Sequence, residues 1–178
     1  GLLGRVTGLK MNVERIARDK SQNEYPMMIS ELETVINDLR HTAQNLEPSI
    51  LKRNGLNEAI QHFCQSMQTD KTKISYYGHG MEAITDKNLQ LSIYRIVQEL
   101  VTNAVKHANA SHILLQCSLE NNYLLIEAED NGKGFDPVKI NRNMGLDNLE
   151  SRLKTMSGSM KIDSKPNEGT HIIIECQL

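Results

Sequence analysis

The sequence predicts an α+β protein in which a two-helix hairpin precedes a mixed β-sheet that carries helices on one face. Two heptad-like apolar stripes over residues 1–46 predict the hairpin. From residue 56 onward, amphipathic helical segments alternate with strand-like apolar runs, which indicates an α/β layer. The chain has 178 residues, of which 39% are hydrophobic, enough for one core and an appendage. We therefore expect two domains, over residues 1–47 and 48–178.

The first predicted domain is the helical hairpin. Residues 1–20 carry apolar side chains spaced alternately four and three residues apart, and residues 27–46 repeat this pattern after Pro26. A hairpin alone would leave a wide apolar face in water. We therefore expect it to pair with a second copy in a four-helix bundle, whereas packing against its own chain is the alternative.

The second predicted domain follows a connector at residues 46–56, which contains the helix breakers Pro48 and Gly55. The turn pair Asn121-Asn122 predicts a hairpin, and Gly158 predicts the left-handed residue that ends the last helix. The patterns predict helices over residues 56–68, 88–108 and 145–157, and strands over residues 73–78, 112–120, 123–130, 159–164 and 170–178.

Composition and charge exclude several classes of protein. The formal net charge of −2 and the lack of a polybasic run argue against a direct nucleic-acid partner. No apolar run approaches the ~18 residues of a membrane span. We therefore expect membrane contact only through segments missing from this chain. The three isolated cysteines, Cys64, Cys117 and Cys176, predict buried free thiols in a reducing compartment.

The long helix predicted over residues 88–108 has a polar face opposite its apolar one. Glu99, Asn103, Lys106 and His107 lie at positions i, i+4, i+7 and i+8, so they share that face. An ordinary solvated face is the alternative interpretation. Asn103 argues against it, because asparagine is a poor residue for a helix interior.

The segment EDNGKGFD (129–136) directly follows the apolar run YLLIEA. It does not match a calcium loop, because Val138 stands where the closing glutamate should be. It also lacks the glycine spacing of a dinucleotide fingerprint or a P-loop. Asp130 at the strand end could accept a hydrogen bond from an exocyclic amine. Gly132 and Gly134 would let the backbone approach a flat ligand closely.

Two further glycine pairs come later in the chain. Gly145-Leu146 opens a predicted helix after a loop, so its backbone amides are a candidate phosphate site. Gly169-Thr170 opens the last predicted strand.

The four segments together resemble a known pattern. QELVTNAVKH (98–107), DNGKG (130–134), Gly145-Leu146 and Gly169-Thr170 resemble, in order and spacing, the N, G1, G2 and G3 boxes of the Bergerat-type ATP-binding fold. NAVKHANAS, the short lid and GLDNLESRL are similar to sensor histidine kinases of bacterial two-component systems. Within these, the resemblance is to the subgroup that pairs with helix-turn-helix response regulators, and it covers nearly the whole chain.

The resemblance implies a role for each box. Asp130 would bind the adenine amino group, and Thr170 would contact it nearby through a water molecule. Gly132 and Gly134 would let the backbone run close past the adenine ring. Asn103 would hold the Mg²⁺ that bridges the phosphates. Glu99 would lie at the reacting end of the nucleotide, where it would orient or deprotonate the attacking group. Lys106 and His107 would face the phosphates, and Gly145 would anchor the lid over them. Leu146 and Gly169, which belong to the G2 and G3 boxes, would also bind the nucleotide.

The function implied by the resemblance is that of the catalytic part of a sensor histidine kinase. It would bind ATP and Mg²⁺ and pass the γ-phosphoryl group to a histidine and then to an aspartate of a response regulator receiver domain. The implied assembly is a homodimer through the hairpin, and the implied location is cytoplasmic, free or as part of a membrane-bound sensor. The alternatives are a non-catalytic ATP-binding dimer module and a serine kinase of the anti-sigma type.

The sequence departs from the family in the first helix. Residues 1–20 contain no histidine, and the alignment places the family's phosphoacceptor a few residues before Gly1. His41 is off both apolar stripes and does not fit the role. We therefore expect this chain to bind ATP but to lack its own phosphate acceptor.

Overall fold

The computed structural model describes residues 49–137 and 144–178, which belong to one compact unit, residues 49–178. The hairpin predicted for residues 1–47, and the dimer expected to form through it, lie outside the described residues. The domain boundary predicted at residue 48 stays a prediction.

The described part of the chain contains both helices and strands, beginning with two helices and ending with two strands. The helices are α1 (Ser49–Asn54), α2 (Leu56–Met67), α3 (Lys87–Asn103) and α4 (Met144–Thr155), with a short 3₁₀ turn at Met81–Ala83 and a π-helical turn at Ala104–Ala108. The strands are β1 (Lys73–His79), β2 (His112–Glu120), β3 (Tyr123–Asp130), β4 (Gly158–Ser164) and β5 (Thr170–Gln177).

The five strands form one mixed sheet in the order β1-β2-β3-β5-β4. Strand β1 is parallel to β2, and the other neighbouring pairs are antiparallel. Alternate residues of β3, such as Leu124 and Ile126, are buried, whereas Tyr123 is exposed. The prediction of an α+β fold with an antiparallel-rich mixed sheet is confirmed.

Among the described helices, α3 contributes the most buried residues to the core. Its start is capped by Asp86, whose Oδ1 accepts a hydrogen bond of 2.8 Å from the backbone N–H of Leu89. Its apolar face, predicted from the 3.6-residue period, is buried at Ile93, Val97, Leu100, Val101 and Ala104. The polar face predicted opposite it is therefore turned away from the core.

The end of α3 differs from the prediction of a regular helix through residue 108. The last turn widens into the π-helical segment Ala104–Ala108, and the chain then leaves through Asn109 in the left-handed region, with φ of 53°. This wider turn carries Lys106 and His107, both of which are exposed. Single π turns inside helices occur often at functional sites.

Two turn predictions had different outcomes. The β2–β3 hairpin turns at Asn121 and Asn122, whose φ angles of 51° and 61° confirm the predicted tight turn. The prediction for Gly158 is wrong, because Ser157 takes the left-handed conformation and Gly158 begins β4. A Cβ at Gly158 would fall on Cys176 Sγ, so the glycine is needed for strand packing.

The connector predicted over residues 46–56 is also more ordered than expected. Helix α1 forms within it, and Gly55, with φ of 84°, separates α1 from α2. All three cysteines are buried and free, as predicted. Among the described residues, no helix combines the length and the apolar character that a membrane crossing requires.

Candidate functional site

A carboxylate and a hydroxyl lie side by side where β3 ends and β5 begins. Asp130 and Thr170 are direct partners in the antiparallel ladder between these strands. The backbone N–H of Gly132 donates to Asp130 Oδ1 at 2.8 Å. The sheet and the following turn therefore hold the carboxylate in one orientation at the sheet edge.

The environment of Asp130 opposes its ionisation. Burial raises the pKa of the Asp130 carboxyl, the hydrogen bonds from Gly132 and Thr170 act in the other direction, and the nearby Glu129 raises the pKa further. The net shift is upward. A half-buried carboxylate of this kind gains from a neutral hydrogen-bond donor that replaces lost water.

Three glycines are required by close contacts around Asp130. A Cβ at Gly132 would fall on the carbonyl oxygen of Ala108, and one at Gly169 would fall on the carbonyl oxygen of Asp130. Gly134 has a φ of 53° and faces the carbonyl oxygen of Lys165 in the same way. The sequence predicted glycines that let the backbone approach a ligand. In the structure, the space left by each missing Cβ is occupied by the protein's own backbone.

Asn131 fastens the turn after β3 to the start of β2, and sequence reasoning did not single it out. Its Oδ1 accepts from the backbone N–H groups of Ser111 and His112 at 3.0 and 2.9 Å, and its Nδ2 donates to Ser111 Oγ at 3.0 Å. Its partners lie 19 and 20 residues earlier in the chain, so no local sequence signal identified it.

Ser164 joins the turn to the β4–β5 end of the sheet, and it was also missed. Its hydroxyl accepts from the backbone N–H of Phe135 at 3.0 Å and lies 2.9 Å from the carbonyl oxygen of Gly169 and 3.1 Å from Thr170 Oγ1. The residue is 7% exposed. A polar residue at a core-facing strand position was the available signal, because buried hydroxyls need partners.

The polar face of α3 reaches this turn through the backbone. The carbonyl oxygen of Ala108, at the end of the π-helical segment, accepts from the N–H of Lys133 at 2.8 Å. Lys106 and His107 project from the same segment into solvent. Within the described residues, no hydrogen bond joins these two side chains to Asp130. Their connection to the turn after β3 is the backbone hydrogen bond between Lys133 and Ala108.

Glu99 and Asn103 do contact each other on the polar face. Asn103 Nδ2 donates to Glu99 Oε1 at 3.1 Å, and both side chains are partly buried. Because the amide nitrogen is used for this bond, Oδ1 of Asn103 is left to act as an acceptor or a metal ligand. Across residues 49–137 and 144–178, no cluster of three histidine, cysteine or acidic side chains could hold a metal ion. A cation here would thus need oxygen ligands from a bound phosphate and water.

Gly145 and Leu146 lie in the first turn of α4. This helix packs against α3 and against β4, and its buried residues include Leu149 and Leu153. That the backbone amides of this first turn bind a phosphate, with roles for Gly145 and Leu146, stays a prediction.

Comparison with known proteins gave a family match over half of the chain. A family model described as "Histidine kinase-, DNA gyrase B-, and HSP90-like ATPase" matches residues 88–178. This range includes α3 from its second residue, the turn after β3, α4 and the β4–β5 hairpin, so every candidate site residue lies within it.

Curated relatives and solved structures resemble nearly the whole chain. The sensor histidine kinase ComP of Bacillus subtilis (strain 168) is 30% identical over 165 residues, which cover 90% of this chain and 22% of ComP. The signal transduction histidine-protein kinase/phosphatase DegS of Brevibacillus brevis is 29% identical over 168 residues, 91% of this chain and 44% of DegS. The chain thus spans less than half the length of each of these two relatives.

A solved structure shows the same fold at low sequence identity. The blue-light activated histidine kinase of Erythrobacter litoralis EL346 superimposes with a TM-score of 0.60 at 17% identity, covering 99% of this chain and 59% of that one.

Proposed function

Because the chain belongs to the family of histidine kinase-, DNA gyrase B- and HSP90-like ATPases, we propose that it is the ATP-binding catalytic part of a two-component sensor histidine kinase. The chain binds Mg-ATP, and the whole protein transfers the γ-phosphoryl group to a histidine and then to an aspartate of a receiver domain. The named relatives ComP and DegS, both histidine kinases, support this choice within the family.

The observation that carries the proposal is the fixed carboxylate of Asp130. It is half-buried, accepts a hydrogen bond from the Gly132 N–H, lies beside its ladder partner Thr170, and retains lone pairs for a donor from outside. The exocyclic amine of adenine is a neutral donor of the right kind, and guanine presents a carbonyl at the same ring position. We infer that Asp130 and Thr170 select the adenine base.

The residues proposed to bind Mg²⁺ and to act on the attacking group lie on the polar face of α3. Asn103 would hold Mg²⁺ through Oδ1, which stays available because Nδ2 donates to Glu99. A single amide oxygen suits an ion whose other ligands are phosphate oxygens and water. Glu99 orients or deprotonates the attacking group. Bound Mg²⁺ supplies charge neutralisation to the phosphates.

The phosphates need cations and amides, which the chain offers at two helix ends. Lys106 and His107 are exposed on the π-helical segment and provide positive charge. The first turn of α4, with Gly145, provides backbone amides. Catalysis of phosphoryl transfer relies mainly on such positioning and charge neutralisation, so little covalent chemistry is asked of the protein.

The partners follow from the same proposal. The receiver domain of a response regulator accepts the phosphoryl group, and residues 1–47 pair with a second copy to form the dimer. The catalytic part acts in the cytoplasm and touches no nucleic acid itself.

Replacing Asp130 by Asn tests the proposal. The side-chain NH₂ of asparagine would face the adenine amine, and a buried polar mismatch costs about 1–3 kcal/mol. We expect Asp130→Asn to weaken ATP binding roughly ten- to hundredfold in calorimetry. Asp70→Asn, which removes an exposed carboxylate that does not line the cavity beside Asp130, is the matched control and should bind ATP like the parent.

Equal ATP affinity in the parent and the Asp130→Asn variant would refute the assignment of the base site. Transfer is tested separately with the full-length protein and ATP labelled at the γ-phosphate. An acid-labile, alkali-stable label marks phosphohistidine. ATP binding without any such label would leave the chain as an ATP-binding module and contradict the kinase proposal.

A further inference from the structure

The side chain of Asn131 takes the place of a backbone carbonyl at the end of the β2–β3 ladder. The regular ladder stops at the pair of Ile113 and Asp130. One residue further, the backbone N–H of Asn131 still donates to the carbonyl oxygen of His112 at 3.3 Å. In a regular antiparallel pair, the N–H of His112 would return a bond to the carbonyl oxygen of Asn131. It donates instead to Asn131 Oδ1 at 2.9 Å, so the side chain ends the strand pairing here.

The orientation of the Asn131 amide is fixed by its partners. Its Oδ1 accepts from two backbone N–H groups, those of Ser111 and His112, which uses both lone pairs of this oxygen. Its Nδ2 donates to Ser111 Oγ at 3.0 Å. The carbonyl oxygen of Ser111 in turn accepts from the N–H of Lys73, the first residue of β1, at 2.9 Å. The amide is therefore attached to the sheet through two strands.

This attachment determines where the backbone goes after Asp130. Because the side chain of Asn131 satisfies the His112 N–H, its carbonyl is released from the ladder and the chain can turn. The next N–H, that of Gly132, then folds back onto Asp130 Oδ1 at 2.8 Å. If the strand continued straight, successive N–H groups would alternate between its two neighbours, and the Gly132 N–H would point toward β5. The turn is thus needed for the bond that orients the carboxylate.

We propose that Asn131 is a positioning residue for base selection: by replacing its own carbonyl in the ladder, its side chain holds the turn in which the Gly132 N–H orients the Asp130 carboxylate. A carboxylate that is fixed before the ligand arrives binds an exocyclic amine with a smaller loss of conformational entropy. This inference rests on the proposed function, because it assumes that the ligand is an adenine nucleotide.

The proposal predicts a loss that depends on the base. Asn131→Ala removes the acceptor of two backbone N–H groups, so the Asp130 carboxylate should lose its fixed orientation. We expect ATP binding to weaken about three- to tenfold, in line with the loss of a hydrogen bond. Binding of purine riboside triphosphate, which lacks the 6-amino group, should change by less than about twofold. The ratio of the two affinities, measured by calorimetry with Mg²⁺, is the quantity that a general loosening of the fold would not alter.

A conservative variant and a control separate the acceptor oxygen from the rest of the side chain. Asn131→Asp has the same shape and keeps an oxygen for both backbone N–H groups, while the Ser111 hydroxyl can donate to its second oxygen. It should keep the preference for ATP within about twofold of the parent, because its added charge acts on both triphosphates alike. Ser111→Ala removes only the contact to Nδ2 and should also keep the preference. Loss of the preference in either variant would contradict the proposed role of Oδ1.

A double-mutant cycle with Asp130→Ala tests the route. If Asn131 acts through Asp130, Asn131→Ala weakens ATP binding by less than about twofold once the carboxylate is absent. An additive loss in the double variant would overturn the proposal. So would equal weakening of ATP and the analogue by Asn131→Ala, or an unchanged preference.

The parent protein distinguishes this inference from the proposed function. If the parent binds neither nucleotide, the proposed function itself is wrong. If it binds both with equal affinity, Asp130 does not contact the amino group, and the base site and the role of Asn131 are both refuted. If it prefers ATP and Asn131→Ala keeps that preference, only the role of Asn131 is refuted.

Discussion

At the scale of single residues, Asp130 shows the conflict between stability and binding most directly. Burial raises the pKa of its carboxyl above the ordinary value, so the folded state disfavours the ionised form. This ionised form is the one that would accept a hydrogen bond from adenine. The hydrogen bonds from Gly132 and Thr170 offset part of this cost. Such residues commonly destabilise the free protein in exchange for function.

The raised pKa of Asp130 predicts how stability changes with pH. Since the pKa is higher in the folded state than in the unfolded chain, the folded state binds the proton more tightly. The contribution of Asp130 to the free energy of unfolding is therefore fully present below the unfolded-state pKa and is lost as pH rises through the folded-state pKa. Relative to Asp130→Asn, the parent should gain stability as pH falls from about 7 to about 4.

Urea unfolding of both proteins at the two pH values measures this difference, because other titrating groups cancel in the comparison. A stability difference between parent and variant that stays constant with pH would show that the carboxyl has an ordinary pKa.

Asn103 provides a second prediction at this scale. Asn103→Ala removes the amide oxygen proposed to hold Mg²⁺ and leaves Asp130 untouched. We expect nucleotide binding without Mg²⁺ to be unchanged and the tightening caused by Mg²⁺ to be lost. Titrations of ATP with and without Mg²⁺ measure both quantities. Asn88→Ala, in the first turn of the same helix, is the control and should respond to Mg²⁺ like the parent.

At the scale of secondary structure elements, the β2–β3 hairpin depends on its two-residue turn. Asn121 and Asn122 both have positive φ. This conformation costs most residues with a Cβ about 1–2 kcal/mol, whereas glycine and asparagine adopt it more readily. Asn122→Ala should therefore lower the free energy of unfolding by about 1 kcal/mol, whereas Asn122→Gly should not lower it. Urea titrations of the two variants decide this. Equal stability of the alanine and glycine variants would mean that the turn carries no such strain.

The turn after β3 illustrates how neighbouring elements position one side chain. Asn131 attaches it to β2, Lys133 to the end of α3, and Phe135 to β4. Each attachment point lies within five residues of Asp130. The orientation of the carboxylate therefore depends on three elements that are distant in sequence.

At the scale of the whole molecule, the free thiols report on the core between the sheet and the helices. Cys64 on α2 and Cys117 on β2 are buried. Burial raises the pKa of the Cys64 thiol to about 12, and it raises the pKa of the Cys117 thiol as well. Thiolates are the reactive species, so both groups should be inert in the folded state.

We therefore expect a thiol reagent to label Cys64 and Cys117 only at the rate at which the core opens. Mg-ATP should slow the labelling, because a ligand that binds the folded state lowers the unfolded population. Mass spectrometry of the labelled peptides measures each site separately. Rapid labelling of either cysteine in the native protein would contradict the buried core described here.

Much of the fold was predictable because it depends on local pattern. The β2 and β3 boundaries follow from apolar runs on either side of Asn121-Asn122, and the buried face of α3 follows from its period. Helix α1 was not predicted, since Pro48 and Gly55 suggested a connector and Leu51 anchors the helix through tertiary packing. Gly158 was assigned to the wrong role because its contact with Cys176 lies across a strand pair.

The sequence by itself determined the order of the chemical groups: a polar face on the long helix, an acid and two glycines after a strand, and two later glycine pairs. Only the tertiary structure decided how these groups meet. It placed Ser164 against Thr170, directed the amide of Asn103 toward Glu99, and filled the space beside Gly132 with the backbone of Ala108. The physical reason is that hydrogen-bond direction and close backbone contact depend on the partner's position, which no local pattern specifies.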